Sequence, residues 1–199
     1  MHYTPSFFAV LSFLLAMAVC NFSAGNLRAE DTGKNPQELQ VVEHVDLSRY
    51  LGTWYEVASI PVWFQRECAG GSTATYSLDT DGKISVLNQC CTKERQKKQA
   101  RGKAWVVDTK TNAKLKVSFF SLFGFWLFAG DYWIIDLGPN YEYAVIGHPG
   151  RSIVGWIRSR TPVLPDDVLR GIGERLTAKG YNFSQFKKTN QTDYRCTSP

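Results

Sequence analysis

The stretch that decides the fold is DLSRYLGTWYEV, residues 46–57. At its centre a glycine is followed by Thr-Trp-Tyr, which leads into a segment whose side chains alternate between two faces. Gly52 permits a backbone conformation, or a close approach, that a Cβ would block. Trp54 is a large ring of the buried type with one N–H that needs an acceptor. The stretch therefore predicts a turn followed by a half-buried first strand.

The length and composition favour one domain with appendages. The chain has 199 residues, of which 44% are hydrophobic and 14% aromatic, and this allows a sizeable core. The net charge is +5, and positive residues cluster only between Lys93 and Lys103. No aromatic residue interleaves with that run. It therefore predicts a solvated loop or a strand edge guarded by Lys and Arg, and no nucleic-acid partner.

The N-terminus carries an apolar segment from Phe7 to Cys20, too short for a bilayer span and typical of a signal peptide. We predict a signal peptide at residues 1–20, a flexible polar tether at 21–41 and one folded domain at 42–199. Export then leads to the periplasm, the outer membrane or the outside of the cell. Acylation of Cys20 is an alternative to a soluble product. The soluble product is favoured, because Val19 is bulky for a lipoprotein signal.

The cysteines fit an oxidising compartment. Beyond Cys20 the chain keeps Cys68, Cys90, Cys91 and Cys196, an even set with three full pairings. There is no C-x-x-C spacing and there are only three histidines, so no metal site and no cofactor are expected. No Ser/His/Asp order, paired carboxylates or phosphate-binding glycine loop stands out, so no catalytic site is predicted.

Alternating segments separated by turn residues fill the rest of the chain. The clearest is a hairpin over residues 72–90 that turns at Asp79-Thr80-Asp81-Gly82. In all, the pattern predicts eight strands at short spacing, then one amphipathic helix that begins near Pro165 and ends at Lys179-Gly180. Antiparallel strands that must hide their edges indicate an all-β fold, an up-and-down barrel with the helix packed outside. Such a barrel has room for one small ligand.

These features together resemble the lipocalin family, above all the bacterial outer-membrane lipocalins and apolipoprotein D. Gly52 and Trp54 match the first family signature, Tyr141 the aromatic residue of the second, and Arg160 the third. The resemblance implies a calyx open at one end, with the Arg160 guanidinium stacked over the Trp54 ring at the closed end. These residues would hold the barrel floor and would not touch the ligand.

The resemblance also implies which side chains line the cavity. Neighbouring strand residues face opposite ways, so Tyr132 and Trp133 cannot both point inward, and similarity to apolipoprotein D favours Trp133. An apolar cup with a few polar groups suits a fatty acid or a lysophospholipid. The alternatives are an isomerase that uses a barrel cysteine such as Cys90, and a binder of a pigment or haem. The expected ligand-binding residues, each of which could instead be core packing, are Tyr76, Asn88, Phe119, Trp133, Tyr143 and Trp156.

The segment FFSLFGFWLF, residues 119–128, lacks charged residues and is too short to span a membrane as a helix. The resemblance places it between the fifth and sixth strands, at the open mouth. Because exposed apolar patches mark contact sites, we predict a membrane contact through Phe123, Phe125, Trp126 and Phe128. A lid over the cup and a homodimer contact are the alternatives.

The disulfide pairing implied by apolipoprotein D is Cys68–Cys196, which would tie the first long loop to the C-terminal tail. A bond between the adjacent Cys90 and Cys91 would be strained, so their pairing stays open. Cys68 also lies near both across the hairpin. Cys68–Cys90 with Cys91–Cys196, or the reverse, is therefore an alternative.

Overall fold

The structure is a computed structural model that describes residues 39–150, 152–194 and 196. The predicted signal peptide, Cys20 and most of the tether lie outside the described residues. These residues contain two α-helices, α1 (Leu47–Tyr50) and α2 (Asp166–Ala178). The strands are β1 (Gly52–Ser59), β2 (Gly70–Leu78), β3 (Ile84–Cys91), β4 (Lys97–Val106), β5 (Lys114–Ser118), β6 (Phe120–Leu122), β7 (Phe125–Leu127), β8 (Gly130–Leu137), β9 (Tyr143–Gly147), β10 (Gly155–Ser159) and β11 (Lys187–Lys188).

Eight of these strands form a closed antiparallel barrel in the order β1-β2-β3-β4-β5-β8-β9-β10. The barrel closes because β1 also pairs with β10, with Tyr55 opposite Ser159. β1 has a bulge between Glu56 and Ala58, and β11 pairs with its second half, where Ala58 lies opposite Lys188. Closure pairs most of the described strands on both sides, although residues 97–102 of β4 pair only with β3.

The strand directions give the barrel two distinct ends. The connections at residues 60–69, 92–96, 119–129 and 148–154 lie at one end, the mouth end. The opposite, closed end carries the shorter turns and the segment that leads into α1. That segment crosses the closed end: the Val45 amide donates to the Thr111 carbonyl at 2.8 Å, and the Asp46 amide donates to the Tyr141 hydroxyl at 2.7 Å. The segment before α1 therefore covers the closed end.

Two hydrophobic cores lie on the two faces of the barrel wall. The interior core fills the closed half of the barrel and includes Trp54 and Ile146. The outer core lies between α2 and the strands β8, β9, β10 and β1. In it the predicted apolar stripe of α2, with Leu169, Ile172 and Leu176 buried, packs on the outside of the barrel. The helix is thus placed where the sequence predicted.

The chain joins the barrel earlier than the sequence indicated. Leu39 and Val41 pack against the outer core, and the Val42 amide donates to the Ile134 carbonyl at 3.0 Å. Packing against the barrel therefore begins before residue 42, and the predicted domain bounds stay a prediction. Among the described helices, none combines the length and the apolar character needed to cross a bilayer.

Two segments have more regular structure than predicted. β4 begins at Lys97, inside the basic run, because it pairs with the whole length of β3, with Cys91 opposite Lys97. The apolar run 119–128 forms a separate two-stranded hairpin of β6 and β7, in which Ser121 lies opposite Trp126. Both segments lie at the mouth end, and most of their side chains are exposed.

Candidate functional site

The closed end carries the predicted stacking of Arg160 on Trp54. Trp54 is fully buried, and its indole Nε1 donates to the Tyr50 carbonyl at 2.8 Å. The Arg160 guanidinium carbon lies 3.7 Å from the centroid of the indole ring. The same guanidinium donates to the carbonyls of Thr53, at 3.0 Å, and Arg49, at 2.6 Å. The stacked ring and cation thus join β1, β10 and the segment before β1 at the closed end.

Two further signature residues support this floor. Gly52 has a φ of +92°, and a Cβ there would stand 3.4 Å from an Arg160 nitrogen. Tyr141 also lies in the left-handed region, with a φ of 62°, and its hydroxyl accepts the Asp46 amide. The Arg49 guanidinium lies 4.1 Å from the Tyr141 ring centroid. Asp46 and Arg49 thus belong to the floor, although the sequence did not single them out.

Three tyrosine hydroxyls meet inside the barrel above this floor. The Tyr132 hydroxyl lies 2.7 Å from that of Tyr50 and 2.9 Å from that of Tyr76. Burial raises the pKa of Tyr50 and that of Tyr132, and the neighbouring tyrosines add to both effects. These two hydroxyls therefore stay neutral and keep their protons to donate.

The predictions that Trp133 and Tyr143 line the cavity are wrong. Tyr132 packs with the interior core, whereas Trp133 packs with the outer core, and the Lys114 ammonium lies 4.2 Å from its ring centroid. Tyr143 also belongs to the outer core, where Arg175 donates to its hydroxyl at 2.8 Å. Both faces of these strands are covered by protein, so hydrophobicity alone does not show which face is inward.

Arg158 is an interior residue that the sequence reasoning missed. It is only 6% exposed, lies on β10 opposite Glu56, and shares a face of the strand with Trp156. Its Nε is buried and has no hydrogen-bond partner among the described residues. Burial opposes the charged form, but Tyr76, Tyr132 and Glu56 outweigh it, so the pKa of the guanidinium lies above its usual value. The alternation that places Trp156 inward could have revealed it.

A glutamine from the first long connection bridges two barrel strands. Gln65 donates to a Glu56 carboxylate oxygen at 3.1 Å and accepts the Trp156 indole N–H at 3.2 Å. The other Glu56 oxygen accepts from the hydroxyls of Ser59, at 3.0 Å, and Thr189, at 2.9 Å. Trp156 packs against the interior core, on the side where it was predicted.

Asn88 and Phe119 lie on the inner side of the wall. Asn88 pairs with Ala74 of the interior core, and its buried Oδ1 has no hydrogen-bond partner in the described part of the chain. The Phe119 ring lies against Gly102, where a Cβ would be 2.7 Å from the ring. Gly102 is opposite Val86, which belongs to the interior core. Phe119, 44% exposed, therefore covers the wall near the mouth.

The hairpin of β6 and β7 presents aromatic side chains to solvent. Its two-residue turn, Phe123-Gly124, has positive φ at both positions, 50° and 83°, the pattern of a type I′ turn. Phe128 also has a positive φ, and the exposed fractions of Phe123, Phe125 and Phe128 are 91%, 71% and 88%. Left-handed backbone is unusual for a bulky residue. Trp126, also predicted for membrane contact, is only partly exposed.

Other exposed aromatic and basic residues lie at the same end. Trp63 is 76% and Phe64 55% exposed in the connection 60–69. The connection between β3 and β4 and the start of β4 carry one acid, Glu94, against five basic residues. These are Lys93, Arg95, Lys97, Lys98 and Arg101.

Residues 45–191 match the family model described as a lipocalin-like domain. That range covers more than half of the chain and all eight barrel strands. The chain belongs to the lipocalin family. The finding agrees with the barrel, the outer helix and the stacked Arg160 and Trp54.

Several known proteins align with most of the length of this lipocalin. It is 37% identical to temperature-induced lipocalin-1 of Arabidopsis thaliana over 160 residues, 79% of this chain and 85% of the relative. It is 39% identical to outer membrane lipoprotein Blc of Escherichia coli K12, covering 76% and 82%, and 32% identical to apolipoprotein D of Mus musculus, covering 81% and 84%. Insecticyanin of Manduca sexta, a solved structure, aligns with a TM-score of 0.64 at 20% identity, covering 79% and 87%. It shares the fold.

The disulfides of this lipocalin differ from the predicted Cys68–Cys196 bond, which is wrong. Cys68 is bonded to Cys90 and Cys91 to Cys196, the pairing kept as an alternative. The register explains it, because Gly70 lies opposite Cys91 and brings Cys68 beside the end of β3. All four described cysteines are bonded, so an isomerase that uses Cys90 would lack its thiol. The described residues contain no His, Cys, Asp and Glu cluster suited to a metal ion.

Proposed function

We propose that this lipocalin binds, stores or transports a small amphipathic lipid, a fatty acid or a lysophospholipid, inside its barrel. Lipocalins bind small hydrophobic ligands. The observation that carries the proposal is the interior, where apolar walls surround a few converging polar groups, as in ligand sites generally. Tyr132 and Trp156 pack against the interior core and are partly exposed. The proposed role is a carrier, not an enzyme.

The proposed lining keeps four of the predicted residues and replaces two. Trp133 and Tyr143 face α2 and are left out. Tyr132 and Arg158 take their place, because both lie among the interior residues and carry hydrogen-bonding groups. The proposed ligand-binding residues are therefore Tyr76, Asn88, Phe119, Tyr132, Trp156 and Arg158.

The ligand is tested by native mass spectrometry of the protein with whatever co-purifies, followed by displacement of a fluorescent fatty acid. We expect one lipid per barrel and displacement by unlabelled lipid. Trp156→Ala should weaken binding about tenfold, and Trp63→Ala, at an exposed indole outside the barrel, should not. Absence of a bound lipid together with no displacement would reject the carrier role.

We further propose that the mouth end rests on an anionic membrane surface. The exposed aromatic residues of the hairpin would enter the interfacial region, and the neighbouring basic residues would attract anionic lipids. A cavity that opens at the membrane could exchange lipid without passing it through water. The predicted contacts Phe123, Phe125, Trp126 and Phe128 all lie on this hairpin.

Co-sedimentation with vesicles of phosphatidylcholine, with and without phosphatidylglycerol, tests this contact. We expect more protein to sediment with the anionic vesicles, and the variant Phe125→Ser/Trp126→Ser to lose this binding. A matched control is Leu78→Ser/Val107→Ser, which removes exposed apolar side chains near the closed end. If the hairpin variant still binds but no longer self-associates in sedimentation velocity runs, the hairpin is a homodimer contact and the membrane proposal fails.

The proposed location is outside the cytoplasm, in the periplasm, at the outer membrane or secreted. The apolar segment from Phe7 to Cys20 supports export, and so do relatives named outer membrane lipoprotein and apolipoprotein D. The intact mass of the mature protein would show cleavage, and a mass that includes acyl chains would show an anchor at Cys20.

A further inference from the structure

We propose that the barrel takes its ligand head first, with an ionised carboxylate held deep inside by Arg158 and the Tyr132 hydroxyl. This inference rests on the carrier function proposed above. It narrows the ligand from amphipathic lipids in general to long-chain acids with a free carboxylate, whose tail then points to the mouth end.

The first argument is a buried charge without a bound partner. Arg158 is 94% buried, since only 6% of it is exposed, and its pKa lies above the usual value, so it remains a cation. The ion pairs among the described residues do not include it, and its Nε has no hydrogen-bond partner there. A buried guanidinium is costly unless it is paired and hydrogen-bonded. A carboxylate is the group whose geometry matches it.

Glu56 does not fill this role. It lies opposite Arg158 in the strand pairing, and its charge favours the cation. Both of its carboxylate oxygens, however, accept hydrogen bonds from other groups, namely Gln65, Ser59 and Thr189. Glu56 therefore favours the charged form of Arg158 at longer range and leaves its Nε without a hydrogen-bond partner in the described residues.

The second argument comes from counting protons in the tyrosine cluster. Tyr50, Tyr76 and Tyr132 supply three hydroxyl protons, but their hydroxyls make two contacts with one another. One proton is left to donate outside the cluster. The donor is Tyr132 when its hydroxyl accepts from both Tyr50 and Tyr76, and its raised pKa keeps it protonated. A carboxylate beside Arg158 would accept it.

The third argument is the depth at which Arg158 lies inside the barrel. Arg158 lies two residues beyond Trp156 in the direction of the closed end, about 7 Å further along the strand. A carboxylate fits at this depth with its tail alongside Trp156 and Phe119. A lysophospholipid would have to bring a phosphate, a glycerol and a further polar group to the same place. The position of Arg158 thus favours the free acid.

The test compares oleic acid, oleyl alcohol and a lysophosphatidylcholine of the same chain on four proteins. These are the wild type, Arg158→Gln, Tyr132→Phe and the control Arg170→Gln, which changes an exposed arginine of α2. We expect oleate to bind the wild type at least about tenfold more tightly than the alcohol. Arg158→Gln should abolish that preference, because it should weaken the binding of oleate and leave the binding of the alcohol unchanged. Tyr132→Phe should reduce the preference in part, and Arg170→Gln should keep it.

A measurement on the wild type keeps the proposal falsifiable if Arg158→Gln does not fold. With oleate labelled with ¹³C at the carboxyl carbon, the bound signal should stay in its ionised position to a lower pH than oleate in vesicles, because a neighbouring cation lowers a carboxyl pKa. Equal binding of acid and alcohol, tighter binding of the lysophospholipid, or a carboxyl signal that titrates as in vesicles would overturn the proposal and leave the carrier function standing. Failure of all three lipids to bind would reject the carrier function itself.

Discussion

Two arginines near the end of β10 show how the same side chain serves two purposes. Arg160 stacks on Trp54 and donates to two carbonyls, so its bonding capacity is used within the floor. Arg158 lies two residues earlier, inside the barrel, with a buried Nε that bonds to nothing in the described residues. Arg160 thus belongs to the structural floor, whereas Arg158 is the proposed binding group.

Replacing Trp54 by alanine should lower stability more than ligand affinity. The indole is fully buried, stacks with Arg160 and bonds to a carbonyl, so Trp54→Ala should lower the free energy of unfolding by about 3–5 kcal/mol in urea titrations. Trp63→Ala, at an indole that is 76% exposed, should change it by less than about 0.5 kcal/mol. A large loss of affinity with little loss of stability would show that Trp54 belongs to the ligand site.

The hairpin of β6 and β7 is the element whose sequence fits its own backbone least. A type I′ turn favours Asn-Gly, and here Phe123 occupies the first left-handed position with its ring in solvent. Such strain costs on the order of 1 kcal/mol and is often found at functional sites. The aromatic side chain at this position is explained by an external contact and not by the stability of the turn.

Phe123→Asn should therefore leave the free energy of unfolding unchanged or raise it by up to about 1 kcal/mol, while it weakens binding to anionic vesicles. Urea titration and co-sedimentation measure the two effects. The control is Phe125→Asn, a change on β7 where the backbone is not left-handed, which should bring no gain in stability. A clear loss of stability in Phe123→Asn would argue that the ring packs within the folded protein.

The turn between β2 and β3 should make stability depend on pH in the acid range. Asp79 accepts hydrogen bonds from Lys103 and, at 2.6 Å, from Ser85, and these hold the pKa of its carboxyl below the ordinary 3.8. A carboxyl group whose pKa is lower in the folded protein than in the unfolded chain stabilises the fold. Its contribution is complete when the pH is above the pKa of the unfolded chain. That stabilisation is lost as the pH falls below about 3.8 and then through the lower pKa that Asp79 has in the folded protein.

The melting temperature of Asp79→Asn should thus lie below that of the wild type at pH 6, and the difference should shrink towards pH 3. Glu43→Gln, which changes an exposed carboxylate far from this turn in the sequence, is the matched control. Parallel wild-type and Asp79→Asn curves between pH 6 and pH 3 would mean that the Asp79 contacts contribute nothing.

At the scale of the whole molecule, the structural floor and the features of the proposed function lie at opposite ends of the barrel. The segment before β1 covers the closed end, and the described helix α2 covers one side. The aromatic hairpin, the basic start of β4 and the entrance to the interior share the other end. This polarity follows from the strand order, because every second connection of an up-and-down barrel returns to the same end.

The two disulfides should stabilise this architecture unequally. Cys91–Cys196 spans 105 residues and Cys68–Cys90 spans 22, and the two loops do not overlap. By loop-closure entropy, removing the longer link as Cys91→Ser/Cys196→Ser should cost about 1.4 kcal/mol more than Cys68→Ser/Cys90→Ser. Chemical denaturation of the two variants measures the difference. An equal or reversed order would show that local strain or contacts outweigh chain entropy.

The sequence by itself determined the local features of this protein. Period-two alternation, turn residues and the helix signals are set by neighbouring residues, and they predicted the eight barrel strands and α2. The stacked pair Trp54 and Arg160 was also predicted, because a family signature marks both. The apolar run 119–128 was predicted to be a contact segment, which stays a prediction, and its hairpin was not predicted.

Only the tertiary structure decided which residues meet. The choice of Tyr132 over Trp133, the bond from Cys68 to Cys90 and the burial of Arg158 all depend on the register between strands. A shift of one residue turns every side chain of a strand to the other face, and no local pattern fixes it where both faces are covered. The interior polar site, which carries the proposed function, is therefore a product of strand pairing.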